Sequence, residues 1–212
     1  MSSYREINIE TWKRRIHFQV FCEALQPEYC VNMNLDVTNF LQMIKREGRS
    51  FTCSFIYVAA KCANDIEEFR YRLIDKKVIL YDEIGTSFTF MNKETELFKV
   101  VHVLMQPTLS EFEALSKTTI SEQKEYFIGA PPVDSFIFSA MPWISFTSIS
   151  HTISANHSKG QPLFDWGKFF EQNGRIMMPF SVQVHHSFVD GIHIRKLVNK
   201  IQDCLNNPLS IR

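Results

Sequence analysis

The chain has 212 residues, 45% of them hydrophobic, enough for one well-buried core, and residues 1–212 are expected to form a single domain. Its 23 Lys and Arg balance 23 Asp and Glu, so the formal net charge is zero and neither a nucleic-acid nor an anionic-membrane footprint is expected. The N-terminal stretch MSSYREINIETWKRR is polar and charged, and no later run nears the ~20 apolar residues of a membrane span; a soluble, cytoplasmic protein is the expectation.

Nineteen Phe point to a core or interface dominated by aromatic packing. From Trp12 to about Leu25, the rows Trp12/Ile16/Val20 and Phe18/Phe21/Cys22/Leu25 predict a helix with more than one apolar face, sandwiched between neighbours. Residues 29–36 read as a strand, after which Asp36 or Thr38 can cap a helix to about Arg46 that Gly48 closes. Phe51, Phe55, Val58, Ala59 and Cys62 follow helical spacing and predict a packed helix over 51–67. Short Val-, Ile-, Phe- and Tyr-rich stretches near 69–74, 77–82, 86–92 and 96–105 read as strands, and 110–126 as helix. Pro131-Pro132 breaks the chain, and from Ser135 an extended segment predicts one or two strands bent at Pro142. Gly167 to Val189 reads as a hairpin turning at Asn173-Gly174. After Gly191, an apolar stripe of Ile194, Leu197, Val198, Ile201, Cys204 and Leu205 predicts a terminal helix with Asp190 at its N-cap. The fold class is α+β, a large mixed sheet with helices covering one face.

The five cysteines are odd in number and lack CxxC or zinc-ligand spacing, so reduced thiols are expected. Neighbouring strand residues face opposite sides, so His185 and His186 cannot share one task. That argues against a metal site, which His193 does not repair, and no metal is expected. On spacing alone the segment from Ser181 to Gly191 admits a plain reading, in which one histidine is buried and hydrogen-bonded, the other is exposed, and Asp190 caps the final helix.

Residues 185–191, HHSFVDG, resemble the HHxxxDG motif of the chloramphenicol acetyltransferase family and related coenzyme A-dependent acyltransferases. Ser139 to Phe146, SAMPWISF, is similar to the family's Ser-Ala-x-Pro-Trp segment, and Trp12 to Phe18, WKRRIHF, to its N-terminal helix. The stretches 94–96, 166–168 and 178–183 match in order, so the resemblance spans essentially the whole chain. It implies transfer of an acetyl group from acetyl-coenzyme A to a hydroxyl of a small acceptor, chloramphenicol or a related compound, in a ternary complex. It assigns the base to His186, oxyanion stabilisation to Ser139, and a structural ion pair to Asp190 and Arg14. Lys168, Trp143 and Phe169 match coenzyme A contacts, and the family's homotrimers, with active sites in the clefts between subunits, are expected here too. In the acceptor pocket Phe21 and Phe98 keep an aromatic wall. Ile149 and His151 replace the aromatic and aliphatic residues expected for a nitrophenyl antibiotic. Asp165 stands where well-studied members carry threonine, so either the acceptor is cationic or Asp165 points elsewhere. Two rivals remain at this stage: a dihydrolipoyl acyltransferase core and a catalytically silent ligand-binding relative.

Overall fold

The computed structural model describes residues 3–152 and 159–208. In chain order these form β1 (Tyr4–Glu6), α1 (Arg15–Phe21), β2 (Glu28–Asp36), α2 (Thr38–Glu47), α3 (Phe51–Asn64), β3 (Tyr71–Ile74), β4 (Lys77–Tyr81) and β5 (Gly85–Met91). They continue with β6 (Phe98–Val103), α4 (Leu109–Glu122), β7 (Ser135–Met141), β8 (Leu163–Gly167), β9 (Phe170–Gln172), β10 (Arg175–His185) and α5 (Gly191–Asn206). The main sheet runs β2-β10-β8-β7-β5-β6, with β9 added to β10, and a small sheet runs β1-β4-β3. Only β5 with β7 and β7 with β8 pair in parallel, so the sheet is mixed, as expected for this α+β class.

Strand alternation gives the large sheet two unlike faces. Phe88, Phe136, Phe138, Phe164, Trp166, Phe180 and Val182 share one face and are buried. Phe55 of α3 enters that layer edge-on to Trp166 and Phe180, and each ring so buried contributes ~1.5–3 kcal/mol. The opposite face carries Asn32, Ser181, Asp165, Ser139, Ser87 and Ser135, a polar surface rather than a second core.

Arg72, on β3, is wholly buried. It donates to the carbonyl oxygens of Phe69, Tyr71, Val133, Ser135 and Gly160, fastening the small sheet to the start of β7 and the approach to β8. Burial without a carboxylate contact pulls its guanidinium down to about 9.

Several expectations need correction. The helix predicted from Trp12 spans only Arg15–Phe21, because Trp12 is spent on the core, its Nε1–H donating to Tyr71 Oη. That helix buries one residue, Phe18, and leaves Ile16 and Val20 in solvent, so in the single chain it is not sandwiched. The segment after Pro142 is no second strand: a turn closes with Ile144 N–H on Met141 O, and residues 142–152 run irregularly over the polar face. The strands that do pair with β7 are β5 and β8, and β8 lies just ahead of the expected hairpin, where the sequence offered no strand. Among the described residues no helix is long and apolar enough to cross a membrane.

Candidate active site

The HHSFVDG segment begins where β10 stops. His185, its last strand residue, is buried, and burial pulls its imidazole down to about 4, so the ring stays neutral and structural. Its Nδ1 accepts the Ser187 N–H, which tightens the turn. His186 faces the other way, as alternation requires, and keeps 37% of its side chain exposed. Phe21 of α1 stacks on it with centroids 4.0 Å apart and planes 10° from parallel, and Tyr29 of β2 lies at 4.6 Å. The His186 N–H donates to Pro27 O, fixing the backbone from which the ring projects.

Nδ1 of His186 is buried 3.3 Å from Asp190 Oδ1, within ion-pair reach but not aligned as a hydrogen bond. A proton on Nδ1, on the side of this carboxylate, leaves Nε2 with its lone pair free. Asp190 occupies the N-cap position of α5, but its carboxylate is taken up by Arg14, whose Nη1–H and Nη2–H donate to Oδ2 and Oδ1 at 2.7 and 3.2 Å. Arg14 Nε–H donates to Ser187 O, so one guanidinium grips the whole turn. This hydrogen-bonded arginine holds the Asp190 carboxyl below its ordinary value. Phe188 packs against Trp12, Phe18 and Tyr71, docking α1 so that Phe21 covers His186.

The second group of site candidates lies on the polar face. Ser139 on β7, Asp165 on β8 and Ser181 on β10 stand level across three adjacent strands. Ser139 is half-buried, while Asp165 is wholly buried, with Oδ2 bonded to His151 Nε2 at 2.9 Å. Oδ1 of Asp165 has no hydrogen-bond partner among the described residues, since Ser181 Oγ is engaged with Cys30 Sγ at 2.9 Å. Burial pushes the Asp165 carboxyl up to about 6, against the opposing pull of His151. Ile149 is half-buried in the segment that carries His151.

Lys168 and Trp143 are drawn together by the Lys168 N–H bond to Ile144 O at 2.8 Å; both are exposed, Trp143 by 60%. Phe169 instead packs edge-on against Phe51 of α3, at 4.8 Å. Gly167 makes the crossing possible, because a Cβ there would sit 2.6 Å from Ile144 O. Beside this crossing a groove of about 350 Å³ is lined by Asn32, Asn34, Ser145, Phe146, Phe170 and Pro179 among others.

One chain does not unite these parts. His186 lies five residues beyond Ser181 along β10, and Ser139 lies two strands across, which puts them roughly 15–20 Å apart. Phe98, on edge strand β6, packs against Phe127 and is separated from β10 by β5, β7 and β8, so it forms no wall with Phe21 in the same chain. Tyr29 went unnoticed in the sequence, because only the pairing of Tyr29 with Val184 brings its ring beside the histidine. Among the described residues no cluster of metal-ligating side chains occurs.

The chain matches the family model described as chloramphenicol acetyltransferase over residues 2–202. It is 30% identical over 211 residues to chloramphenicol acetyltransferase 2 of Haemophilus influenzae, covering 98% of this chain and 99% of that one. The solved structure of a chloramphenicol acetyltransferase superposes with a TM-score of 0.87 at 28% identity, over 96% of this chain and 100% of the other. A dihydrolipoamide acetyltransferase of Azotobacter vinelandii is similar in fold alone, with a TM-score of 0.64 at 15% identity over 87% and 84% of the two chains.

Proposed function

The chain belongs to the chloramphenicol acetyltransferase family, and on that premise we propose that this acyltransferase moves acetyl from acetyl-coenzyme A to a hydroxyl of a small acceptor, chloramphenicol or a related compound. The observation that carries the proposal is His186: a half-exposed imidazole, clamped by Phe21, with Nδ1 turned to Asp190 and Nε2 left for a substrate.

Nε2 of His186 takes the hydroxyl proton as the oxygen attacks the thioester carbon, forming the C–O bond. The hydroxyl of Ser139 donates to the resulting oxyanion. As the intermediate collapses the C–S bond breaks, the thiolate takes the proton back from the imidazolium, and no acyl-enzyme forms. Arg14 and Asp190 hold the turn that aims the ring.

The thioester supplies an acyl carbon already activated for attack. The residues present suit coenzyme A: Lys168 offers an exposed ammonium to a phosphate, Trp143 an exposed ring, and the adjacent groove room for the pantetheine arm, with Phe169 backing the turn. The five thiols, all unpaired as disulfides, and a supply of coenzyme A suit a cytoplasmic setting.

His186 and Ser139 act on one carbon only if they come from different copies, which supports a homotrimer with each site in a cleft between subunits, every copy contributing as one domain. Exposed Ile16, Val20, Leu25, Phe98, Phe127 and Ile128 supply apolar surface for such contacts.

Thiol release from acetyl-coenzyme A with chloramphenicol present tests the reading. His186→Ala is expected to lower kcat/KM by ~10²–10⁴-fold, and Ser139→Ala by ~10²–10³-fold. Release that His186→Ala leaves untouched would reject it.

A further inference from the structure

We propose that His151, braced from behind by Asp165, is the acceptor-selecting group of this enzyme, and that the pair makes cationic amino alcohols better acceptors than the neutral chloramphenicol. The inference rests on the reading of Ser139 above, and it names the acceptor class.

Asp165 is wholly buried and stands level with Ser139 on the neighbouring strand, one spacing of ~5 Å away. Among the described residues its titratable neighbour is His151, and no Lys or Arg among them bonds to it or pairs with it. Burial raises the carboxyl to about 6, still below neutral pH, so the ionised form persists under working conditions. A buried carboxylate requires a counter-charge or a full set of donors. Here one oxygen has His151 Nε2 and the other has nothing among the described residues.

The Nε2–H bond fixes the ring, so that a neutral His151 presents Nδ1 as an acceptor backed by a negative charge. His151 keeps 22% of its side chain exposed, whereas Asp165 keeps none, so the imidazole meets a ligand and the carboxylate acts through it. Asp165 is thus a positioning residue. A ligand ammonium at Nδ1 would neutralise the dyad and offset the carboxylate charge beside the oxyanion. A neutral diol can do neither.

The test uses two matched compounds, chloramphenicol and its free-amine parent, an aminodiol with an ammonium in place of the dichloroacetamide. Each is titrated calorimetrically into the full-length protein with coenzyme A present, and each is assayed for thiol release. Wild type is expected to bind the aminodiol about tenfold more tightly than chloramphenicol, the size of one charge-assisted hydrogen bond. Asp165→Asn and His151→Leu are each expected to erase that ratio, and the double variant to erase no more than either alone. His151→Ala serves if His151→Leu fails to fold. Equal or weaker aminodiol binding by wild type overturns the inference and would mean that His151 itself is the counter-charge; a ratio unchanged in Asp165→Asn overturns it too, since the preference would then not come from the buried carboxylate. Thiol release absent with every acceptor would instead sink the transferase reading, while the binding ratio still judges the selectivity.

Discussion

Arg14 and Asp190 form a two-pronged pair in which the guanidinium side chain is 7% exposed and the carboxylate 26%. Removing one partner leaves the other charge half-desolvated, and Arg14→Met is expected to cost about 3 kcal/mol in urea unfolding, the low end for such pairs because Asp190 still touches water. The carboxyl of Asp190 lies below its ordinary value in the folded chain. Its stabilisation is therefore complete above the unfolded pKa near 3.8 and fades as pH falls through the folded value, so Asp190→Asn should flatten the acid limb of the stability curve. Asp165 has the opposite sign: raised to about 6, it binds its proton more tightly in the folded chain, so wild-type stability falls as pH climbs from 3.8 through 6. The stability of Asp165→Asn relative to wild type should accordingly grow by about 2 kcal/mol between pH 4 and pH 7. Asp165 stands one strand away from Ser139, the proposed oxyanion donor, and an ionised carboxylate ~5–8 Å from a second negative charge costs about 2–3 kcal/mol at an effective dielectric of 20. That is comparable to the ~2.7–4 kcal/mol that one oxyanion donor supplies, which is why a counter-charge matters here.

The hairpin of β9 and β10 turns at Asn173 and Gly174, both with positive φ, 52° and 74°. Nothing lies within 4 Å of a Cβ placed at Gly174, so Gly174→Ala probes backbone preference alone. It should cost about 1–2 kcal/mol in urea unfolding while sparing kcat. Gly167→Ala should strike the site as well as the fold: its Cβ would push Ile144 O away, loosen the hold on Trp143 and Lys168, and raise KM for acetyl-coenzyme A in steady-state assays. This contrast marks what the sequence reveals about elements. Turn chemistry and helical spacing disclosed the hairpin, α2, α3 and α5, because those signals are local. β8 stayed hidden because it carries Asp165 at its centre, and a carboxylate on a buried strand defeats a pattern search; its explanation is the His151 bond. The β-like composition of 142–152 misled for the converse reason: those residues serve as a cover over the polar face.

At the scale of the assembly, the resemblance pointed to His186 and to the Arg14–Asp190 pair that the structure shows beside it, but no spacing could show that Ser139 lies roughly 15–20 Å from His186 within one chain. Light scattering should give three times the 24.8 kDa chain mass. Mixing two inactive proteins, His186→Ala and Ser139→Ala, by unfolding and refolding them together should restore part of the activity, since some clefts then receive one intact residue from each. If the mixture stays inactive although mixed trimers form, the shared-cleft arrangement is wrong. Arg72 adds a consequence of its own. By anchoring Ser135 and Gly160, it secures both ends of the stretch that bears Trp143 and His151, while His186 follows the tip of β10 beyond that clasp. Swapping residues 144–152 for those of a relative should therefore change which alcohol is accepted while leaving strand β7 and the His186 turn in place.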